Sequence, residues 1–288
     1  MRIPEYWSRA TTEELDRDGK TASLSCWRWS DKSPEDAHAS ALDAAKKILR
    51  NFLNGEQNNR YAYSDRVLRE EVIQRITNPQ GELIAAVTQN ACGSLVLSTA
   101  RVMFIDLDFP SVRPGENLRY SLTKWFNKAA QSPDSQRESD ARTKLDRFLN
   151  DNPLWGARVY RTCAGLRVLA THSLFEPAAD STQTLFESLG TDPLYVRLCK
   201  AQASFRARLT PKPWRCGHTS NTIAWPRETD DQQKRFEAWK STYVELQSEY
   251  ATCRFLGAIG DGNIHPEVAT IIDVHDRTTR CHEPLELA

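Results

Sequence analysis

The sequence lacks any long hydrophobic run, and its longest unbroken apolar stretch is the five residues from Leu83 to Val87. A helix that crosses a bilayer needs about 20 such residues. The opening segment, Met1 to Glu5, also lacks the apolar core of a secretory signal. We therefore expect a cytoplasmic protein with no membrane partner.

The chain also lacks a disulfide pattern and a net charge. Its seven cysteines are odd in number and contain no Cys-x-x-Cys pair, which favours a reducing compartment. Basic and acidic residues balance at 38 each, and 40% of the residues are hydrophobic. A length of 288 residues with this composition is typical of a globular protein of one large or two modest domains.

Charge is nevertheless distributed unevenly along the chain. No acid occurs between residues 152 and 175 or between residues 193 and 227, and these two segments hold ten cations. If the segments adjoin, they form a positive surface that suits the phosphates of a nucleotide or nucleic acid. The alternative is that acids between Glu14 and Glu82 neutralise this surface in the folded protein. The residues expected to bind phosphate are Arg161, Arg167, Arg206, Arg208, Lys212 and Arg215, with Trp214 among them as a ring for base stacking.

Two carboxylates, Asp106 and Asp108, end an apolar predicted strand. Side chains alternate across a strand, so both point to the same side. Adjacent carboxylates repel unless a cation lies between them, and Mg²⁺ or Mn²⁺ bound to phosphate is the usual cation. We predict a catalytic metal site at these two residues; the alternative is a pair of exposed turn acids.

Other residues suited to chemistry are more isolated in sequence. His172 follows a predicted strand and is expected to bind phosphate or transfer protons, with a partly buried structural histidine as the alternative. Four possible zinc ligands occur as Cys216 with His218 and Cys281 with His282, but neither pair has the usual two-residue gap. Asp273 and Asp276 form either a second acidic site or the polar end of a C-terminal element.

Hydrophobic periodicity and turn signals predict an α+β fold with a central, largely antiparallel sheet flanked by helices. The sheet is expected to contain residues 82–108, 155–172 and 204–210. Helices are predicted over residues 34–52, 66–76, 118–131, 138–149, 180–189, 193–202 and 230–255, the last being a long C-terminal helix. We predict an N-terminal α/β subdomain over 1–78, a core carrying the site over 79–228, and a C-terminal helix and tail packing on the core over 229–288.

In order, these motifs resemble the catalytic core of the archaeo-eukaryotic primase and primase-polymerase superfamily. Phe104–Asp108 is similar to the family's apolar strand ending in Asp-x-Asp, and Ala170–His172 to its small-residue, any-residue, histidine motif. The resemblance covers less than half of the chain. It implies an RRM-like sheet, two metal ions held by the carboxylates, and a histidine that contacts the phosphates of the incoming nucleotide.

The family's third motif, a carboxylate on a later strand, is missing, because Arg206 and Arg208 occupy the corresponding strand. Asp273 or Asp276 would replace it only if the C-terminus folds back to the site. The resemblance therefore implies either a metal-dependent nucleotidyltransferase or a catalytically degenerate relative. A non-catalytic nucleic-acid-binding or scaffold protein stays open, as does an Asp-x-Asp glycosyltransferase, although no nucleotide-binding βαβ series precedes the motif.

Overall fold

The computed structural model of the protein describes residues 1, 3–56, 67–109 and 132–288. Within them lie six α-helices and twelve β-strands, and both four-stranded sheets are antiparallel throughout. The predicted α+β class and antiparallel pairing are therefore confirmed. The helix predicted over 118–131 lies outside the described residues. None of the helices in the described ranges has the length and hydrophobicity of a membrane span.

The elements have the following bounds. The strands are β1 (Tyr6–Leu15), β2 (Thr21–Ser30), β3 (Glu71–Thr77), β4 (Leu83–Gln89), β5 (Leu95–Thr99), β6 (Phe104–Asp108), β7 (Gly156–Thr162), β8 (Gly165–Ala170), β9 (Phe205–Arg208), β10 (Tyr250–Ala251), β11 (Cys253–Gly260) and β12 (Glu286–Leu287). The helices are α1 (Pro34–Leu53), α2 (Pro133–Asp151), α3 (Asp180–Leu189), α4 (Pro193–Gln202), α5 (Asp230–Gln247) and α6 (Pro266–Thr279).

The N-terminal elements form a hairpin covered by one helix. Ser33 caps α1 by accepting a hydrogen bond from the Asp36 backbone, and Pro34 occupies the first turn, as the sequence predicts. The helix buries a stripe of small residues, and Asp36 also accepts a hydrogen bond of 2.6 Å from Ser30 of β2. The short alternation of apolar residues over 21–29 predicts a strand, and these residues lie in β2; β1, its antiparallel partner, was not predicted.

The helix predicted over 66–76 is wrong, because β3 occupies residues 71–77. The spacing of four residues between Val72 and Ile76 fits a strand as well as a helix, since four is a multiple of the strand period of two. Pairing decides between them: β3 lies against β4, where Ile76 is buried opposite Ala85.

The long C-terminal helix is also shorter than predicted. Helix α5 ends at Gln247, and the chain continues as β10 and β11. Phe236, Trp239 and Tyr243 do form a stacked stripe on α5. After this stripe, residues 253–260 pair with β7 at the edge of the sheet instead of continuing the helix. Gly257 also has a positive φ, which is incompatible with an α-helix.

The single predicted central sheet is divided into two. One sheet has the order β3-β4-β5-β9 and the other β11-β7-β8-β6, so that β9 and β6 are both edge strands. Tyr195 of α4 lies between these edges. Its hydroxyl donates to the Phe104 carbonyl of β6 at 2.9 Å and accepts from the Arg206 amide of β9 at 3.3 Å. A side chain therefore connects two strands that do not pair directly.

The strands of these two sheets come from all three predicted parts of the chain. β3 precedes residue 78 and pairs with β4, which follows it. β11 follows residue 229 and pairs with β7. The N-terminal and C-terminal segments thus complete the sheets that carry the site.

We predict that Tyr195→Phe lowers the free energy of unfolding by about 1–3 kcal/mol, because a buried amide and carbonyl lose their shared partner. Chemical denaturation measures the change. Tyr250→Phe is the matched control, since its hydroxyl has no hydrogen-bond partner among the described residues. Equal stability of Tyr195→Phe and the parent would contradict a bridging role for the hydroxyl.

Candidate phosphate-binding cavity

A cavity of about 560 Å³ lies where β6, β8 and β9 meet the start of α4. Its charged lining residues are the cations Arg167, Arg197, Arg208, Lys212 and Arg215 and the acids Asp106, Asp108 and Asp192. Five cations against three carboxylates leave a formal excess of two positive charges. Six of these residues, all but Arg197 and Asp192, were predicted from sequence as site residues, so the two cation-rich segments do adjoin.

Two predicted phosphate-binding residues do not line the cavity. Arg161 follows Tyr160 on β7 and therefore lies on the opposite sheet face from it, where its Nε donates to Glu138 of α2 at 3.1 Å. Arg206 binds both carboxylate oxygens of Glu70 at 2.8 and 2.9 Å. The predicted alternative, neutralisation by acids from the N-terminal part of the chain, therefore applies to Arg206.

His172 is likewise separated from the cavity. β6 and β8 pair antiparallel, with Asp108 opposite Gly165 at the start of β8, whereas His172 follows the end of that strand. Its ring packs against Trp155 and Phe175 at centroid distances of 4.7 and 5.6 Å. Burial lowers the pKa of His172. The structure therefore does not bring the predicted catalytic histidine to the predicted catalytic carboxylates.

Arg167 is the most buried charge in the cavity wall, with a relative exposure of 4%. Its Nε donates to Asp106 Oδ1 at 3.1 Å, and its Nη1 donates to the Arg208 carbonyl at 2.8 Å. Burial alone would lower the pKa of Arg167, but Asp106, together with Cys253 and Tyr195, outweighs burial and the pKa is raised. Asp106 is thus the counterion of a buried guanidinium, a role that the sequence pattern did not indicate.

Behind Arg167 the hydrogen bonds continue into α6. Its Nη1 lies 3.4 Å from His275 Nε2, and His275 Nδ1 lies 2.9 Å from Asp276 Oδ1. Arginine only donates and a carboxylate only accepts, so one neutral tautomer, protonated at Nδ1, satisfies both contacts. Burial, opposed by Asp276, lowers the pKa of His275 to about 4, which agrees with a neutral ring.

The third carboxylate of the cavity is Asp192, not Asp273 or Asp276. Asp192 caps α4 by accepting from the Leu194 amide at 3.1 Å. Asp273 is exposed and pairs with Arg277, while Asp276 lies in the contacts behind Arg167. The Asp192-Pro193 helix start was visible in the sequence, but its position beside β6 depends on tertiary packing.

The carboxylates repel one another within the cavity. Burial raises the pKa of Asp108, and the charges of Asp106 and Asp192 raise it further. Asp106, Asp108 and Asp192 are not assembled as a metal centre. Over the described ranges, one set of three Asp, Glu, His or Cys side chains has ligand atoms within 4.8 Å of one another, and that set lies elsewhere. Asp108 and Asp192 would therefore hold Mg²⁺ or Mn²⁺ only together with oxygens from a ligand.

The cations repel one another as well. Burial lowers the pKa of Arg208, helped by the nearby charge of Arg167, and burial with Arg208 and Arg215 lowers that of Lys212. The Nε of Arg208 is buried without a hydrogen-bond partner in the described part of the chain. Next to this group, Lys212 lies 5.3 Å from the ring of Trp214, whose relative exposure is 52%. Such an arrangement favours an anion with an attached ring.

Comparison with protein-family models, with curated proteins and with solved structures finds no match. The resemblance to the primase-polymerase core therefore stays a prediction from the motifs.

We predict that His172→Phe leaves oligonucleotide binding unchanged, because His172 lies outside the cavity. The substitution should also remove the contribution of His172 to stability, which decreases as the pH falls. Because burial holds the pKa of His172 in the folded state below its ordinary value, the unfolded chain takes up the proton first as the pH falls, and the native state loses stability. The melting-temperature advantage of the parent over His172→Phe should shrink between about pH 8 and pH 5. A loss of binding with unchanged pH dependence would instead place His172 at the ligand.

Proposed function

We propose that the protein binds a nucleotide or nucleic acid through phosphate groups held in the cavity. One observation carries the proposal. Of the five cavity cations, Arg197, Arg208, Lys212 and Arg215 form no ion pair within the described residues. Four unpaired cations around one concave site are costly without an anion, and phosphate is the anion that such sites take.

The chemistry of the lining agrees with a nucleotide in particular. A guanidinium group can donate two parallel hydrogen bonds to two oxygens of one phosphate. Arg208 and Arg215 supply two such groups to the cavity. Trp214, exposed beside Lys212, offers a flat ring on which a base could stack. Cations and an exposed aromatic side chain therefore lie close enough to contact one ligand.

Nucleotidyl transfer with Mg²⁺ or Mn²⁺ is the enzymatic form of this proposal. Mg²⁺ is commonly bound by one or two carboxylates together with substrate phosphates. Of the three carboxylates that line the cavity, Asp106 pairs with Arg167, while Asp108 and Asp192 form no salt bridge within the described ranges. A metal–triphosphate complex would supply the remaining oxygens and reduce the repulsion that raises the pKa of Asp108.

A non-catalytic nucleic-acid-binding protein is the second candidate, and two observations favour it. Asp106 is occupied by Arg167 at 3.1 Å, and His172 is remote from the cavity. Both residues would carry catalysis in the family that the motifs resemble. Binding without turnover needs only the cations and Trp214.

The phosphate proposal predicts a salt-dependent loss of binding in Arg215→Gln. Removing one phosphate contact should weaken binding to a single-stranded oligonucleotide and flatten the plot of log affinity against log salt by about one unit. Fluorescence anisotropy over a salt series measures both effects.

The charge-matched control is Arg235→Gln, because Arg235 is exposed on α5 and pairs only with Asp231 in the described structure. Its affinity and salt slope should equal those of the parent. If the two variants lose binding equally, the oligonucleotide senses overall charge and not the cavity. Absence of binding by the parent at low salt would overturn the proposal for nucleic acid, and a nucleoside triphosphate then replaces the oligonucleotide as the probe.

The proposed metal site makes a separate prediction. Mn²⁺ alone should change the melting temperature little, a nucleoside triphosphate should raise it, and both together should raise it further, because each ligand binds only the folded state. In Asp108→Asn the increment due to Mn²⁺ should disappear while the triphosphate effect stays. Asp43→Asn, on the exposed surface of α1, is the control. An undiminished Mn²⁺ increment in Asp108→Asn would show that Asp108 is not a ligand of the metal, which would contradict the metal site proposed there.

A further inference from the structure

Three residues of types that bind transition metals meet at the C-terminal end of α6. They are Asp276 in the last turn of the helix and Cys281 and His282 just after it, and their ligand atoms all lie within 4.8 Å of one another. The sequence pointed to Cys281 and His282 as possible zinc ligands but paired them with Cys216 and His218. The structure brings Asp276 to them instead.

The contact between two of these groups has the dimensions of a metal site. Asp276 Oδ2 and His282 Nε2 are 3.3 Å apart. In a tetrahedral zinc site with bonds of about 2.0–2.2 Å to nitrogen and oxygen, the distance between neighbouring ligand atoms is about 3.4 Å. An ion would therefore fit between the carboxylate and the imidazole with little movement of either.

The carboxylate is oriented by its second oxygen. Asp276 Oδ1 accepts hydrogen bonds from the Tyr160 hydroxyl at 2.8 Å and from His275 at 2.9 Å. Arg158 donates to Oδ2 at 2.6 Å. Metal-binding carboxylates are commonly fixed by such outer hydrogen bonds. Arg158 is a competing cation at this oxygen, and its contact is the one that a metal ion would have to share.

The other two ligands are held by the chain around them. The Cys281 amide donates to the Asp276 carbonyl at 3.4 Å, and the Cys281 carbonyl accepts from Phe255 at 2.9 Å. The ring of His282 packs on Phe255 at a centroid distance of 5.2 Å. Cys281 is 1% exposed, whereas the His282 side chain is 58% exposed, so an ion has access from the His282 side.

We propose that Asp276, Cys281 and His282 bind a divalent cation of the zinc class, with a fourth position filled by water. Thiolate and imidazole ligands select zinc and related ions over Mg²⁺ or Mn²⁺. On binding, the Cys281 thiol gives its proton to solvent, and the thiolate and the Asp276 carboxylate neutralise the two charges of the ion. The site is separate from the cavity and does not depend on the function proposed for it.

The test uses the full chain, stripped of metal and titrated with Zn²⁺ against a chromophoric chelator. We expect one ion per chain, and affinity reduced at least about tenfold in Cys281→Ser and in His282→Gln. Cys163→Ser and His38→Gln are the controls, because Cys163 is an exposed free thiol and His38 is exposed on α1. Both controls should bind Zn²⁺ as the parent does.

Co²⁺ provides a second readout that reports the sulfur directly. A thiolate-to-cobalt charge-transfer band should appear in the parent and in Cys163→Ser and be absent in Cys281→Ser. His282→Gln changes an exposed side chain, so it keeps the test open if Cys281→Ser does not fold. Absence of the band in the parent, or Zn²⁺ affinity in His282→Gln equal to that of the parent, would overturn the proposal.

Discussion

The buried guanidinium of Arg167 is the constraint on which the arrangement of the site depends. A charge with 4% exposure in the middle of a sheet is costly unless it is paired with an opposite charge and hydrogen-bonded. Arg167 obtains its acceptors from three different elements: Asp106 on β6, the Arg208 carbonyl on β9 and His275 on α6. Because these contacts have to form together, they fix the edges of the two sheets and the C-terminal helix relative to one another, and the cavity lies at that junction.

This constraint gives the two carboxylates of the Asp-x-Asp pair different roles. The two carboxylates share one side of β6, as alternation along a strand requires, but they have different partners. Asp106 neutralises Arg167, whereas Asp108 has no salt bridge within the described ranges, and burial and the charges of Asp106 and Asp192 raise its pKa. The excess charge of the cavity therefore belongs to the cations from Arg197 to Arg215, and a ligand has to bring negative charge before a metal ion becomes favourable there.

Local signals in the sequence were reliable where the chemistry is local. The cap at Ser33, the helix start at Asp192 and the hairpin of β7 and β8 all follow from neighbouring residues, and the gathering of Arg208, Lys212 and Arg215 follows from their closeness in the chain. Predictions failed where pairing partners decide. Residues 71–77 fit either a strand or a helix until β4 selects the strand. The antiparallel register of β6 and β8, invisible in the motifs, separates Asp108 from His172.

Hydrogen bonds run from Asp106 through Arg167 and His275 to Asp276, and they connect the cavity to the group of Asp276, Cys281 and His282. His275 is neutral, because its pKa is lowered to about 4 and each ring nitrogen has a partner that suits a single tautomer. The ring therefore fixes the direction of the hydrogen bonds without adding a charge. A phosphate bound in the cavity would act on cations other than Arg167, whereas a metal ion at Asp276 would be neutralised by its own carboxylate and thiolate. The same buried contacts therefore hold the cavity and the proposed metal site in place, and the two proposed ligands would act independently.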